Sequence, residues 1–176
     1  TFSSISGNVP TVKDFMGRDV AQRVLDIEEV LGGAGNDIID MSSPDLALQN
    51  FIGLMIDGGV GNDVIWSSVS NDIIKGGDGN DKIFGGKGND VMSGGDGRDL
   101  FQFTQTAGSD VIKDFDAKDK IELWGRRTED SDKLNKSSIT ETVNGNTTSL
   151  EWGDVNIILE TNTHFSIDSD IIFKLI

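Results

Sequence analysis

Aspartates recur at a fixed spacing through the middle of the chain, and most of them follow a turn rich in glycine. The clearest copies are three tandem nonapeptides, at residues 76–84, 85–93 and 94–102. Glycines at the first, second and fourth places let the backbone adopt positive φ, so that carbonyl oxygens of the turn can point inward at a cation. The aspartate at the sixth place adds a hard, anionic oxygen. Ca²⁺ prefers roughly six to eight such oxygens, so the repeat predicts a Ca²⁺-binding turn.

One turn cannot supply that many oxygens, and this requirement sets the architecture. Two turns stacked about 4.8 Å apart can supply them, which makes the ion a clamp between consecutive coils. If one coil consumes two nonapeptides, the turns fall into two rows. The first row begins at Gly32, Gly58, Gly76 and Gly94, and the second row begins at Gln49, Ser67, Gly85 and Gln105. Tandem repeats of this kind are typical of a parallel β-roll, a right-handed β-helix of nonapeptides.

The candidate metal ligands are the aspartates at the sixth place and the glycines at the second and fourth places. They are Gly33, Gly35, Asp37, Gly59, Gly61, Asp63, Asp72, Gly77, Gly79, Asp81, Gly86, Gly88, Asp90, Gly95, Gly97, Asp99 and Asp110. The second row is degraded, because Leu54 stands where an aspartate is expected and residues 67–70 contain no glycine. We therefore expect about three ions on the first row and about one to three on the second, or about four to six Ca²⁺ ions in all.

The eighth place of each repeat carries a large apolar residue, which should point into the roll and pack against the coils above and below. This inward file is Ile39, Ile56, Ile65, Ile74, Ile83, Met92, Phe101 and Ile112. A flexible linker rich in glycine and aspartate is the alternative explanation of the composition. Three tandem copies in phase, each with an apolar eighth place, favour the roll.

The chain divides into three predicted segments. Residues 1–31 form an entry or cap segment, in which Val24–Leu31 fits either a helix face or a strand, with the strand preferred. Residues 32–113 hold the repeats. Residues 114–176 form a C-terminal cap, with a hairpin signal at Asn144–Asn146 between two runs of alternating apolar residues. The predicted fold is therefore all-β, a parallel β-roll whose last coil is covered by an antiparallel β cap.

The acidic composition suits a protein that binds cations. The chain has 30 acidic and 15 basic residues and a net charge of −15, which disfavours nucleic acid and anionic membranes as partners. Because the chain contains no cysteine, bound metal rather than a disulfide would lock an extracellular fold. The sequence contains no run of about eighteen apolar residues, so we expect no membrane insertion. Residues 1–31 do not show the basic and then apolar pattern of an ordinary N-terminal export signal.

Catalysis has little support in the sequence, and we expect no enzyme activity. The chain has one histidine, His164, and no cysteine, and its paired acids serve more readily as Ca²⁺ ligands than as acid and base. Carbohydrate binding is the alternative function. Trp66, Trp124 and Trp152 could stack on sugars, and the arginine pair at residues 126–127 could meet an acidic glycan. The same tryptophans could instead pack at the junction of roll and cap.

Three segments beyond the repeats add a resemblance to a known family. Residues 110–115 read Asp-Val-Ile-Lys-Asp-Phe, residues 119–123 read Asp-Lys-Ile-Glu-Leu, and residues 169–173 read Ser-Asp-Ile-Ile-Phe. Together with the repeats, these segments resemble the RTX (repeats-in-toxin) family of secreted bacterial proteins, in particular the modules that end serralysin-type proteases and mannuronan epimerases.

The resemblance carries implications for export and for partners. It implies export through a type I secretion machinery, with an uncleaved signal near the C-terminus and folding in extracellular Ca²⁺. It also implies a secreted or cell-surface protein, in which this chain is a monomeric module of a larger adhesin or enzyme. An extracellular polysaccharide or a host-surface ligand would be its further partner.

Overall fold

The chain is described by a computed structural model over residues 29–42, 53–125, 138–160 and 165–175. Within these residues it consists of short strands and one helical turn. In chain order they are β1 (Glu29–Ala34), β2 (Ile38–Asp40), β3 (Met55–Val60), β4 (Val64–Trp66), β5 (Ile73–Asp78), β6 (Lys82–Phe84), β7 (Val91–Asp96), β8 (Leu100–Thr104), β9 (Ser109–Ile112), β10 (Lys120–Gly125), β11 (Thr140–Asn144), β12 (Thr147–Trp152), β13 (Val155–Glu160), α1 (Ile167–Asp170) and β14 (Ile171–Leu175).

The strands form two sheets. One has the order β1-β3-β5-β7-β9-β13-β12-β11, and the other has the order β14-β10-β8-β6-β4-β2. From β1 to β10 successive strands alternate between the sheets and pair in parallel, so each coil contains two strands and two turns. The register places Gly33, Gly59, Gly77 and Gly95 side by side. This confirms the parallel β-roll and the first row of turns.

The core lies between the two sheets. All eight residues of the predicted inward file are buried, with Ile39 the most exposed of them at 8%. Side chains of a strand point to opposite faces in turn, and the parallel register repeats that direction in the next coil. The core continues beyond the repeats through Phe103, Phe115, Ile121 and Leu123. One apolar position per strand therefore builds most of the roll's interior.

The C-terminal strands extend both sheets. As predicted, β11 and β12 form a hairpin, in which Asn144 pairs with Thr147 around Gly145, and the antiparallel run continues into β13. However, β13 lies parallel to β9, and β14 lies parallel to β10. The antiparallel cap is therefore joined to the roll by parallel pairing at the edges of both sheets. Alternation of apolar residues predicts a strand but does not predict its partner.

Several predicted features lie outside the described residues. These are residues 1–28, most of the insertion at residues 41–48, the arginine pair at residues 126–127, and His164. β1 covers only the end of the segment for which the sequence favours a strand. The segment boundaries at residues 31 and 113 stay predictions. In the described part of the chain, the helix is four residues long, far short of a membrane-spanning helix.

Candidate metal centre

The turns hold their aspartates in two columns, one on each side of the roll. One carboxylate oxygen, Oδ1, accepts a hydrogen bond from the backbone N–H of the equivalent residue one coil earlier. On the first row these bonds run from Asp37 to Asp63 (2.7 Å), Asp63 to Asp81 (2.7 Å), Asp81 to Asp99 (2.9 Å) and Asp99 to Asp119 (3.0 Å). On the second row they run, each at 2.8 Å, from Leu54 to Asp72, Asp72 to Asp90 and Asp90 to Asp110. This ladder fixes the orientation of the carboxylates.

The other carboxylate oxygen, Oδ2, has no protein partner in five of these turns. Among the described residues, the buried Oδ2 atoms without a hydrogen bond belong to Asp37, Asp63, Asp81, Asp90 and Asp99. Leaving a buried polar atom unsatisfied costs about 1–3 kcal/mol, and more when the group is charged. Five such oxygens, stacked in columns, fit a cation as their partner.

The first glycine of each complete repeat leaves space beside this oxygen. A Cβ built on Gly58, Gly76, Gly85 or Gly94 would lie closer than 3.0 Å to Oδ2 of the aspartate in the same turn. At Gly58 and Gly76 the same point is also within 3.0 Å of the carbonyl oxygen of the first glycine in the next coil. Carboxylate and carbonyl oxygens therefore converge where a side chain is absent. Ca²⁺ takes mixed oxygen sets of this kind.

The predicted ligands at the second and fourth places lie at the contact between coils. Their φ angles are all positive, between 95° and 151°. A Cβ on Gly77 would lie closer than 3.0 Å to the carbonyl oxygen of Gly59 in the preceding coil, and Gly79 stands in the same relation to Gly61. At Gly77 and Gly79 the backbone conformation and the stacking thus both require glycine, whereas at Gly33 and Gly35 the backbone conformation alone does. That their carbonyls serve as ligands stays a prediction.

Carboxylates alone do not complete a metal site. Over residues 29–42, 53–125, 138–160 and 165–175, no three acidic or histidine side chains group in a way that could hold a metal ion. Successive aspartates of a column are a full coil apart, so few carboxylates are available at any one level. Turn carbonyls and water would therefore complete the roughly six to eight oxygens that Ca²⁺ prefers.

Burial of the columns raises the pKa of several carboxyls. Burial raises the pKa of Asp90 to about 8, and repulsion by the carboxylates of Asp110 and Asp72 adds to the effect. Burial likewise raises the pKa of Asp99 to about 7 and that of Asp110 to about 6. The pKa of Asp81 is raised by the same cause. A cation beside these groups would offset both the lost hydration and the mutual repulsion.

Not every sixth-place residue has an unpartnered oxygen. Asp72, a predicted ligand, accepts hydrogen bonds at Oδ2 from Ser67 and Ser68. Leu54 occupies the aspartate position of the preceding second-row turn and is buried. Within the described residues, the first row therefore carries four unpartnered carboxylate oxygens, and the second row carries one, that of Asp90. The first row is the richer one, as the distribution of complete repeats predicts.

The predicted ligand set omits residues that shape these columns. The first-place glycines are absent from it, although their presence in each complete repeat is the signal that points to them. Asp114 accepts hydrogen bonds from the N–H groups of Gly94 (3.0 Å) and Gly95 (2.9 Å), and Asp119 accepts one from Asp116 at 2.8 Å. Asp119 stands at the sixth place counted from Asp114, so the repeat spacing could have identified it.

The repeat region matches a known family. Residues 27–40, 55–74 and 66–101 match the family described as RTX calcium-binding nonapeptide repeat (4 copies). The chain carries RTX calcium-binding nonapeptide repeats. RTX nonapeptide repeats bind Ca²⁺ and form a structural module rather than a catalytic one. The metal that fits the unpartnered carboxylate oxygens is therefore Ca²⁺.

Two solved structures align with the RTX repeats and their flanks at low similarity. The crystal structure of extracellular lipase LipA from Serratia marcescens has 22% sequence identity and a TM-score of 0.42, over 93% of this chain and 23% of the lipase. The solution structure of the AlgE6R3 subunit from the Azotobacter vinelandii mannuronan C5-epimerase has 22% identity and a TM-score of 0.29, over 86% of each chain. The chain thus spans less than a quarter of the lipase. No curated protein matches the sequence.

Proposed function

We propose that this chain is a Ca²⁺-dependent folding module of a larger exported bacterial protein. Without Ca²⁺ the module stays unfolded, and Ca²⁺ outside the cell folds it into a rigid roll. The observation that carries the proposal is the set of five buried, unpartnered carboxylate oxygens in the RTX repeats. Far-ultraviolet circular dichroism of the full chain in EGTA and in millimolar Ca²⁺ tests it.

The chain's own residues prepare the proposed sites. The proposed ligands are the carboxylates of Asp37, Asp63, Asp81, Asp90 and Asp99, with carbonyl oxygens of the turn glycines. Ca²⁺ supplies positive charge and a coordination sphere that links consecutive coils. The Oδ1 ladder orients the carboxylate of every proposed ligand except Asp37, and the first-place glycines keep the space beside Oδ2 open. The inward file packs only when the coils are stacked, so ion binding and core formation are coupled.

Export through a type I secretion machinery is the second part of the proposal. The RTX repeats and the C-terminal segments that resemble the ends of such modules support it. The module would act as a monomer within its parent protein and contribute no catalysis. A reporter domain fused ahead of the full chain should reach the medium in a bacterium with a type I exporter. The fusion that lacks residues 114–176 should stay inside, and equal export of both fusions would contradict this part.

Carbohydrate binding is the alternative function, and the outer face of the six-stranded sheet favours it. Trp66 and Phe84 are paired in register there, and both are half-buried, as is Trp124. Trp152 is not available to a glycan, because it is 4% exposed and packs against Phe173 with ring centroids 6.4 Å apart. A glycan screen of the Ca²⁺-loaded chain, repeated with Trp66→Ala, tests this function. A folded chain without glycan affinity would leave the folding role alone.

The two rows should respond differently to loss of an aspartate. Asp81→Ala should raise the Ca²⁺ midpoint for folding about tenfold or more, and by more than Asp72→Ala, which costs hydrogen bonds but no Ca²⁺ ligand. Each substitution removes the Oδ1 acceptor of one backbone N–H. Only Asp81→Ala also removes an Oδ2 atom that accepts no hydrogen bond from the protein and is therefore free to bind Ca²⁺. Calorimetric titration with Ca²⁺ measures both midpoints, and equal shifts would contradict the difference between the rows.

Between pH 6 and pH 8 the Ca²⁺ midpoint for folding should change little. The metal-free chain is unfolded there, and its carboxyls, near their ordinary pKa of 3.8, hold almost no protons before Ca²⁺ binds. The raised pKa values, about 8 at Asp90 and about 7 at Asp99, belong to the folded roll without metal. Ca²⁺ midpoints measured at pH 6, 7 and 8 check this prediction, and a midpoint that falls steeply as the pH rises would show that the metal-free chain keeps its roll at neutral pH.

The stability of the metal-free fold should depend on pH. The carboxyls of Asp90 and Asp99 have raised pKa values in the fold, so between their ordinary value of 3.8 and about 8 the folded state holds more protons at these groups than the unfolded state. Their contribution to the stability of the metal-free fold is therefore fully present below about pH 4 and is lost as the pH rises towards 8. In EGTA, lowering the pH from 8 to 4 should increase β-sheet circular dichroism. A decrease would contradict the prediction.

A further inference from the structure

The second-row turn at residues 67–72 lacks the glycines of a complete repeat but stacks like one. A Cβ built on Gly86 in the next coil would lie closer than 3.0 Å to the carbonyl oxygen of Ser68, the same close approach that the glycine-containing turns make. Asn89 N donates to Asn71 Oδ1 at 2.8 Å, the distance of the equivalent bond on the first row. The backbone stacking and the hydrogen bonds between equivalent residues of consecutive coils are therefore the same at this turn as at the complete repeats.

The difference between this turn and its neighbours lies in the partners of Oδ2. In Asp72 this oxygen accepts hydrogen bonds from Ser67 Oγ at 2.5 Å, Ser68 Oγ at 2.8 Å and Ser68 N at 3.0 Å. Oδ1 accepts the ladder bond, so protein donors satisfy the whole buried carboxylate. In the next turn of the same column, Asp90 Oδ2 has no partner, and Gly85 places no side chain beside it.

We infer that the turn at residues 67–72 takes no Ca²⁺ and that the hydroxyls of Ser67 and Ser68 occupy the place that the ion holds in the complete repeats. A cation at Asp72 Oδ2 would have to displace three hydrogen bonds to an anionic oxygen, which are among the stronger kinds in proteins. The cation would also clash with the Ser67 side chain. Ser67 stands at the first place of its turn, where the next coil has Gly85 and therefore open space. The inference rests on the proposed function, because it takes the unpartnered Oδ2 atoms elsewhere as Ca²⁺ ligands.

This turn therefore gives the second row a part that needs no metal. Leu54, 2% exposed, fills the aspartate position of the turn before it with an apolar side chain. At two consecutive second-row turns the protein itself therefore fills or satisfies the aspartate position without a metal ion. The first turn of that column that would bind Ca²⁺ is the one at residues 85–90. The coils that carry these positions depend on Ca²⁺ only through their first-row turns.

Matched substitutions in one column test the inference on the full chain. Asp72 and Asp90 are both 1% exposed, and both accept the ladder bond at 2.8 Å. Bound Ca²⁺ is counted per chain by equilibrium dialysis followed by metal analysis, at saturating Ca²⁺. Asp72→Asn should bind as many ions as the wild type, whereas Asp90→Asn should bind about one fewer. Loss of an ion in Asp72→Asn, with the wild type still binding Ca²⁺, would overturn the inference and leave the proposed function standing.

The variant Ser67→Gly with Ser68→Gly should gain a site. It removes both hydroxyls and leaves the Asp72 carboxylate beside open space, as in the turn of residues 85–90. We expect about one ion more per chain than in the wild type, and Asp72→Asn added to this variant should abolish the gain. Misfolding cannot produce a gain, so this result does not depend on the stability of the other variants. If the variant has the circular dichroism of the wild type but binds no additional ion, the inference is wrong. If the wild type itself binds no Ca²⁺, the proposed function on which the inference rests is wrong.

Discussion

In EGTA at neutral pH the chain should lose more than about half of its β-sheet circular dichroism, and millimolar Ca²⁺ should restore it. Without a cation, five carboxylate oxygens of the described residues are buried with no partner. The net charge of −15 opposes compaction, whereas about five bound ions would reduce it to about −5. The 22 glycines raise the conformational entropy that ordering must overcome. We expect that burial of the inward file alone does not offset these costs.

Two controls separate specific binding from general charge screening in this experiment. NaCl at matched ionic strength screens repulsion but cannot fill a coordination sphere, so it should restore little of the signal. Mg²⁺ has the same charge as Ca²⁺ but demands near-ideal octahedral geometry and gives up its water reluctantly, so it should fold the chain only weakly. Equal β content in EGTA and in Ca²⁺ would contradict the proposed function.

The repeats could be predicted because their chemistry is local to nine residues. A turn that shares a cation needs an equivalent turn above it, which dictates parallel stacking. The apolar eighth place then faces the interior in every coil, and the full burial of Ile83, Met92 and Phe101 bears this out. Even the degraded repeats keep this phase, because Ile56 and Ile74 pair in register with their neighbours in the stack.

Other features depend on contacts that cannot be predicted from the spacing of residues in the sequence. The hairpin at residues 140–152 has a local turn signal, but the pairing of Ile157 with Asp110 and of Leu159 with Ile112 joins distant segments. The sixth-place aspartate predicts a ligand at residue 72 as it does at residue 81. What distinguishes these two carboxylates is the number of hydrogen-bond donors around Oδ2, which the fold decides.

Deleting residues 137–176 should make the chain associate. The deletion removes β13 from the edge of β9 and β14 from the edge of β10, so unpaired backbone groups of both sheets face water. It also uncovers Phe115, whose ring packs against that of Phe165 with centroids 5.8 Å apart. The buried carboxylate of Glu122 loses its ion pair with Lys174, at 2.9 Å. Apolar surface and two open strand edges together favour association with other chains.

Ca²⁺ binding should survive the same deletion in weakened form. The truncated chain keeps the five described aspartates whose Oδ2 has no partner, but a terminal unit of a stacked array contributes an interface, so affinity and cooperativity should both fall. Light scattering and Ca²⁺ titration on the same samples separate the two effects, and solubility should fail before binding does. Val143→Lys, at a site 64% exposed on β11, is the control that leaves both edge pairings intact and should stay monomeric. A monomeric truncation with an unchanged Ca²⁺ midpoint would mean that residues 137–176 do not cap the roll and act as a separate secretion or binding element.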